Sequence, residues 1–202
     1  MKKMARSNTY VVKFRRKREG RTNYKKRLAL LLSHKPRVVI RITNKRIIAQ
    51  LVEFDYKGDK VIITIDSGKL RKYNWKYSLK NTPAAYLLGL LFGKTCLEKK
   101  YKEGIIDIGL RTFRRGTRIA SFIKGLLDSG FYVPHGEDIF PSEDRIKGKH
   151  IEEFAKKLET DEERYKKQFS DYIKKGIDPK NIVSDFEKVK ENILGEKHGG
   201  RK

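Results

Sequence analysis

The stretch Arg37-Val-Val-Ile-Arg-Ile-Thr43, Asn44-Lys-Arg46, Ile47-Ile-Ala-Gln-Leu-Val-Glu-Phe-Asp55, Tyr56-Lys-Gly-Asp59 and Val61-Ile-Ile-Thr-Ile65 decides the fold. Three β-branched runs are separated by two short polar links. Links this short join antiparallel neighbours, so the spacing predicts a three-stranded meander. The runs are apolar on both faces near their centres, which predicts helices covering the sheet.

On the N-terminal side, Tyr24, Leu28, Leu31 and Leu32 recur at helical spacing, so a helix is expected over Arg21–Leu32, ended by Pro36. On the C-terminal side, Asn81-Thr-Pro83 reads as a polar cap with proline in the first turn. A helix is expected from Ala84 to Tyr101, with Leu87, Leu88, Leu91, Phe92 and Leu97 apolar and Gly104 beyond its end. Ile105–Ile108 reads as a short buried strand. Thr117–Ser129 reads as a second helix, with Ile119, Phe122, Ile123, Leu126 and Leu127 on one face and Gly130 at its end. Phe131-Tyr-Val133 reads as a last strand before Pro134. The order β-β-β-α-β-α-β is an α/β fold layered around a mixed sheet.

Beyond His150 three amphipathic stripes follow: Ile151, Phe154, Ala155, Leu158; then Tyr165, Phe169, Tyr172, Ile173; then Ile182, Val183, Phe186, Val189, Ile193. The expected organisation is a basic arm (residues 1–27), an α/β core (28–150), a helical extension (151–194) and a disordered tail (195–202).

Charge is the second strong signal. The 202 residues carry a formal +24. Residues 1–35 hold 13 basic and 1 acidic residue, a net +12 and half of the excess. A basic arm on a near-neutral body is a tool for polyanions. In the arm, Tyr10, Phe14 and Tyr24 interleave with Lys13, Arg15, Arg16, Lys17, Arg18, Arg21, Lys25 and Arg27. Guanidinium groups fork onto phosphate oxygens and aromatic rings stack on unpaired bases. A second basic constellation, Lys69 to Tyr77, holds Arg71, Lys72 and Lys76 with Tyr73, Trp75 and Tyr77; the bland reading of its rings is that they cap the core. A third, Arg111 to Arg118, holds Arg111, Arg114 and Arg115 ahead of a helix N-terminus, where free N–H groups favour phosphate. Asn44, Lys45 and Arg46 at the hairpin turn complete the candidate set.

Other chemistry is excluded or weak. One cysteine, Cys96, rules out an internal disulfide framework. The longest apolar run, Ala84–Gly93, is half of the roughly 20 residues that a membrane span needs. No apolar stretch follows the basic N-terminus, so no secretory signal is expected and a reducing, cytoplasmic address is. Gly89-Leu-Leu-Phe-Gly-Lys-Thr95 looks like a phosphate loop but has three residues between its glycines instead of four. It reads better as a helix whose glycines allow close packing. Cys96 reads as a buried, inert thiol. His34, His135, His150 and His198 lack ligand spacing, so no metal is expected. Glu53, Asp55, Asp66 and Asp107 keep one enzymatic alternative open, a metal-dependent RNA-processing nuclease. A non-specific RNA chaperone is the other alternative.

The run Val12 to Tyr24 with Lys25-Lys-Arg27 resembles the arm of one ribosomal family, the 5S rRNA-binding large-subunit protein L-eighteen in its archaeal and eukaryotic form. Ile42–Gln50, Asn81–Tyr86 with Gly89-Leu-Leu91, Ile106–Leu110 and Val133–Glu137 are also similar to that family, and Tyr165–Lys174 resembles its longer C-terminal region. Asn23 stands where the family commonly has Asp. The resemblance implies a three-layer α/β sandwich without catalysis or cofactor. It implies a structural constituent of the central protuberance that clamps 5S rRNA against large-subunit rRNA, beside the L-five protein, with no membrane and no homo-oligomer. On it, the arm cations neutralise phosphates, Tyr24, Tyr73 and Trp75 stack on bases or riboses, and the arm orders on RNA.

Overall fold

In the computed structural model, which describes residues 8–195, a single turn α1 (Arg15–Arg18) and helix α2 (Tyr24–Leu31) precede the first strand. Helix α2 begins at Tyr24 rather than Arg21 because Asn23 caps it, its side chain accepting from the Lys26 N–H at 3.1 Å. The meander follows as β1 (Arg37–Ile42), β2 (Ile47–Glu53) and β3 (Lys60–Asp66). Its partners are antiparallel, with Val38 opposite Leu51 and Ala49 opposite Ile65. Helix α3 (Thr82–Glu98) then carries the chain to β4 (Ile105–Asp107), parallel to β1. The sheet order is β3-β2-β1-β4. The mixed α/β class is thus the one the sequence predicts.

One face of the sheet makes the core. Val38, Ile40, Ile47, Ala49, Leu51, Ile63 and Ile65 are buried against α3 and its neighbour α4 (Arg118–Asp128). The two helices touch through glycines: a Cβ on Gly89 would stand 2.2 Å from the Phe122 carbonyl oxygen, and one on Gly125 would stand 2.2 Å from that of Tyr86. Gly89–Thr95 is therefore helix, and the close packing expected of its glycines is present. The Cys96 thiol is buried there, and burial pushes its pKa up to about 12.

Two further elements differ from the expectation. Helix α3 stops at Glu98 instead of Tyr101, where Lys100 takes a left-handed φ of 68°. Phe131–Val133 is no strand but one parallel bridge, Glu103 with Tyr132. Phe131 and Val133 alternate inward like strand residues, yet Pro134 has no N–H to extend the ladder.

A short helix not expected from the sequence, α5 (Glu143–Lys147), comes first, and the C-terminal stripes become α6 (Lys149–Lys157), α7 (Glu162–Gln168), α8 (Ser170–Ile173) and α9 (Ile182–Gly195). Helix α9 packs on the far side of α3. Phe186 meets the Tyr86 ring at 5.6 Å, and Lys94 donates to the Ile193 carbonyl at 2.7 Å. The tail expected at 195–202 lies outside the described residues, apart from Gly195 at the end of α9.

Asn81 caps α3, its Oδ1 accepting from the Ala84 N–H at 2.9 Å. Asn81→Ala leaves that donor unpaired at the start of the central helix. The expected loss is about 1 kcal/mol of unfolding free energy in urea melts, the usual worth of an N-cap.

Candidate nucleic-acid interface

The other sheet face is partly covered, with Arg37, Val39 and Val52 buried on it. Alternation along β1 turns Arg37, Val39 and Arg41 away from the core, and Gln50 and Val52 of β2 join them. Helix α2 and the arm lie across from this face. Between them runs a cleft of about 1100 Å³. Its lining holds seven basic residues (Arg16, Arg21, Lys26, Arg27, Arg37, Arg41, Arg111) and two acidic ones (Asp59, Asp107), a net +5.

The two carboxylates organise this site. Arg37 is 3 % exposed and splits its guanidinium between them: Nη1 donates to Asp107 at 3.0 Å and Nη2 to Asp59 at 2.6 Å. Arg27 of α2 donates to both Asp59 oxygens at 2.8 Å, which ties the arm helix to the β2–β3 hairpin. Those Arg27 hydrogen bonds hold the Asp59 carboxyl below its ordinary range, against its burial, and the Arg37 bond adds to them. Asp107 also accepts from the Gly109 N–H at 2.8 Å, and Arg41 donates to its backbone carbonyl at 2.8 Å. Both acids are spent on internal partners. Arg16, Arg21, Lys26, Arg41 and Arg111 also line the cleft, and of these Arg41 reaches one of its two carboxylates, Asp107, at 3.5 Å, so the site stays net positive and attracts anions.

The sequence-predicted residues sort into three groups. Arg16, Arg21, Tyr24, Arg27 and Arg111 come together in the cleft. Their side-chain partners are modest: Arg16 donates to Thr22 at 2.8 Å, Arg21 pairs with Glu19 at 3.2 Å, and Arg111 donates to the Ile42 carbonyl at 2.7 Å. Such exposed pairs contribute at most about 1 kcal/mol, so a phosphate can compete for these cations. Lys13, Arg15, Lys17, Arg18 and Lys25 are exposed around it, and the Phe14 ring meets Tyr24 at 5.0 Å. Asn44, Lys45, Arg46, Arg114 and Arg115 are exposed on loops, with Arg46 held by Asp66 at 2.9 Å.

The third group needs correction. Trp75 is 1 % exposed and Tyr73 7 %, so neither ring has a face free for a base. Residues 72–77 alternate outward and inward, which leaves Lys72 and Lys76 exposed and buries the rings, and Arg71 is exposed before them. Trp75 Nε1 donates to the Ser78 carbonyl, and the Tyr77 hydroxyl donates to Asp185 of α9 at 3.0 Å. The aromatics cap the core and seat the C-terminal helices. Arg27 is likewise a strut, with both Nη groups on Asp59, and no free phosphate ligand.

The nuclease alternative loses its carboxylate, since Asp107 is locked onto Arg37. Among the described residues no three His, Cys, Asp or Glu side chains stand together to hold a metal. The sequence reading missed Lys26, Arg37 and Arg41 as site residues. The signal was there: in a strand, residues two apart share a face, so Arg37 and Arg41 had to emerge together.

Comparison with known proteins follows the same line. Residues 8–105 match a family model described as "Ribosomal large subunit proteins 60S L5, and 50S L18". The chain is also 50 % identical over 196 residues to the Korarchaeum cryptofilum protein named "Large ribosomal subunit protein uL18", covering 97 % of this chain and 100 % of the relative.

Proposed function

The chain belongs to the L-eighteen family of large-subunit ribosomal proteins, and from that premise we propose that it binds 5S rRNA and helps attach it to large-subunit rRNA in the central protuberance. A family member is a protein of the large ribosomal subunit, so its place is the ribosome in the cytoplasm, among rRNA. The finer reading is supported by one observation above all: the net +5 cleft between the sheet and the arm helix.

In this reading the work is binding and orientation, with no catalytic step. Phosphate contacts fix position, while shape and unpaired bases give specificity. Arg16, Arg21, Lys26, Arg41 and Arg111 take backbone phosphates. Arg27 and Arg37 touch none directly; through Asp59 and Asp107 they fix how the arm, the hairpin and β4 face the RNA. Residues 1–27 act as the RNA-binding arm, 28–150 as the core, and 151–194 as an extension toward neighbours, the L-five protein among them.

The test is binding of the full chain to a 5S rRNA transcript against a length-matched RNA, repeated across salt. A preference for 5S rRNA that persists at high salt is expected. Arg111→Gln should weaken both RNAs alike and lower the slope of log affinity against log salt by about 1, the signature of one lost phosphate contact. Equal affinity for both RNAs at every salt concentration would reduce the protein to a general polyanion binder.

A further inference from the structure

The cleft has a neighbour that its phosphate chemistry does not use. Two large rings stand in water at the tip of the β2–β3 hairpin: Phe54 is 51 % exposed and Tyr56 97 %. We propose that they form a stacking site for one unpaired base of the RNA that lies in the cleft. This rests on the cleft being the RNA-binding face.

Position comes first. Side chains two apart along a strand share a face. Gln50 and Val52 line the cleft, so Phe54 extends that row past the end of β2. Glu53 points the other way, accepting from the Tyr101 hydroxyl at 2.8 Å on the helix side of the sheet. The Phe54 and Tyr56 ring centroids are 5.5 Å apart with planes at 69°, an edge-to-face pair that steadies both rings. Tyr56 keeps its ring faces open to solvent.

Rigidity comes second. The tip is closed by Gly58, at a φ of 151°, whose N–H donates to the Asp55 carbonyl at 3.1 Å. One residue on, Asp59 is gripped by Arg27 and Arg37. The hairpin is therefore anchored to both walls of the cleft, and a base stacking on it meets a platform already in place, with little ordering left to offset. Charge comes third. Lys57 and Lys60 flank the rings on the exposed surface and outweigh Asp55 between the rings, and the adjoining cleft is net positive, which favours a polyanionic strand over an acid-poor protein surface. An aromatic platform beside a cationic track is the general arrangement for holding unpaired bases without reading their sequence.

The experiment compares Tyr56→Leu, Phe54→Ala/Tyr56→Ala and Tyr56→Trp in the full chain, with Arg111→Gln alongside, for affinity to the 5S rRNA transcript and its salt dependence. Stacking releases no counterion. Tyr56→Leu and the double variant should therefore lose about 5- to 150-fold in affinity, the worth of one stacked base, with the salt slope unchanged. Tyr56→Trp should bind at least as well as the parent. Tyr56→Leu touches only a solvent-exposed ring, so its melting curve should match the parent's and loss of binding cannot be ascribed to unfolding. If the hairpin variants bind normally while Arg111→Gln weakens binding, the stacking site is wrong, the RNA reading stands and the rings fall to a protein neighbour. If neither class weakens binding, the RNA reading of the cleft fails as well. A lower salt slope in Tyr56→Leu would also overturn stacking, since it would mean lost phosphate contacts.

Discussion

Asp107→Ala is expected to lower the unfolding free energy by about 3 kcal/mol, the low end of the cost of stranding one member of a buried ion pair. The side chain of Arg37 is 4 % exposed and that of Asp107 12 %. Removing the carboxylate takes a partner from Arg37, from Arg41 and from the Gly109 N–H together. Arg37 keeps its bond to Asp59, which is why the loss stays at the low end. Urea melts at neutral pH measure it, with exposed Asp55→Ala as a control expected within about 0.5 kcal/mol of the parent. The sign is informative. Carboxylates gathered to hold a metal repel one another, so removing one would raise stability; a loss marks Asp107 as a strut. Asp59 adds a pH signature. Its folded pKa is depressed, first by the Arg27 hydrogen bonds. Its contribution is therefore complete above the ordinary carboxylate pKa, about 3.9, and is lost as pH falls through the lower folded value. Asp59→Asn should be less stable than the parent at pH 7, and the gap should close as the pH is taken down through that range.

The sequence carried much of the fold because its signals are local. Two short polar links between β-branched runs permit little but a meander, and Asn81-Thr-Pro83 marks a helix start by capping chemistry alone. The phosphate-loop look-alike was separable from a real one by counting residues between its glycines. What stayed illegible depends on contacts between distant residues. Asp59 and Arg27 are 32 residues apart, and Arg37 and Asp107 are 70 apart, so nothing local shows that these charges spend themselves on each other. The basic loop around Trp75 misled for the same reason. Alternating cations and rings read equally well as a nucleic-acid surface or as a lid, and only the packing of α9 and Tyr172 beneath it decides. The charge of the arm was legible in the sequence; that its last helix would wall a cleft on the sheet was not.

The second large effect concerns the two helices under the sheet. Gly89→Ala and Gly125→Ala should each destabilise the protein by about 2–3 kcal/mol, although alanine in a helix interior normally gains about 1 kcal/mol over glycine. The clash decides the sign. A methyl at 125 would stand 2.2 Å from the Tyr86 carbonyl oxygen and 2.9 Å from the Leu90 nitrogen; one at 89 would stand 2.2 Å from the Phe122 oxygen and 3.2 Å from the Leu126 nitrogen. These are backbone atoms of the facing helix, so no rotamer change relieves them and the helices must part. Parting loosens Phe92 against Phe122, whose rings meet at 6.0 Å, and the buried Leu87 and Leu126 beside them. The contacts are reciprocal: α3 offers Tyr86, Gly89 and Leu90, and α4 answers with Phe122, Gly125 and Leu126. Separation forced by one methyl makes room for the other. The double variant should therefore be less destabilised than the sum of the singles, with a coupling of about 1–2 kcal/mol in a double-mutant cycle. Gly136→Ala, whose methyl would meet only Ile139 at 3.7 Å, should change the melting curve little. Strictly additive losses at 89 and 125 would mean that the helices yield locally instead of moving apart as units.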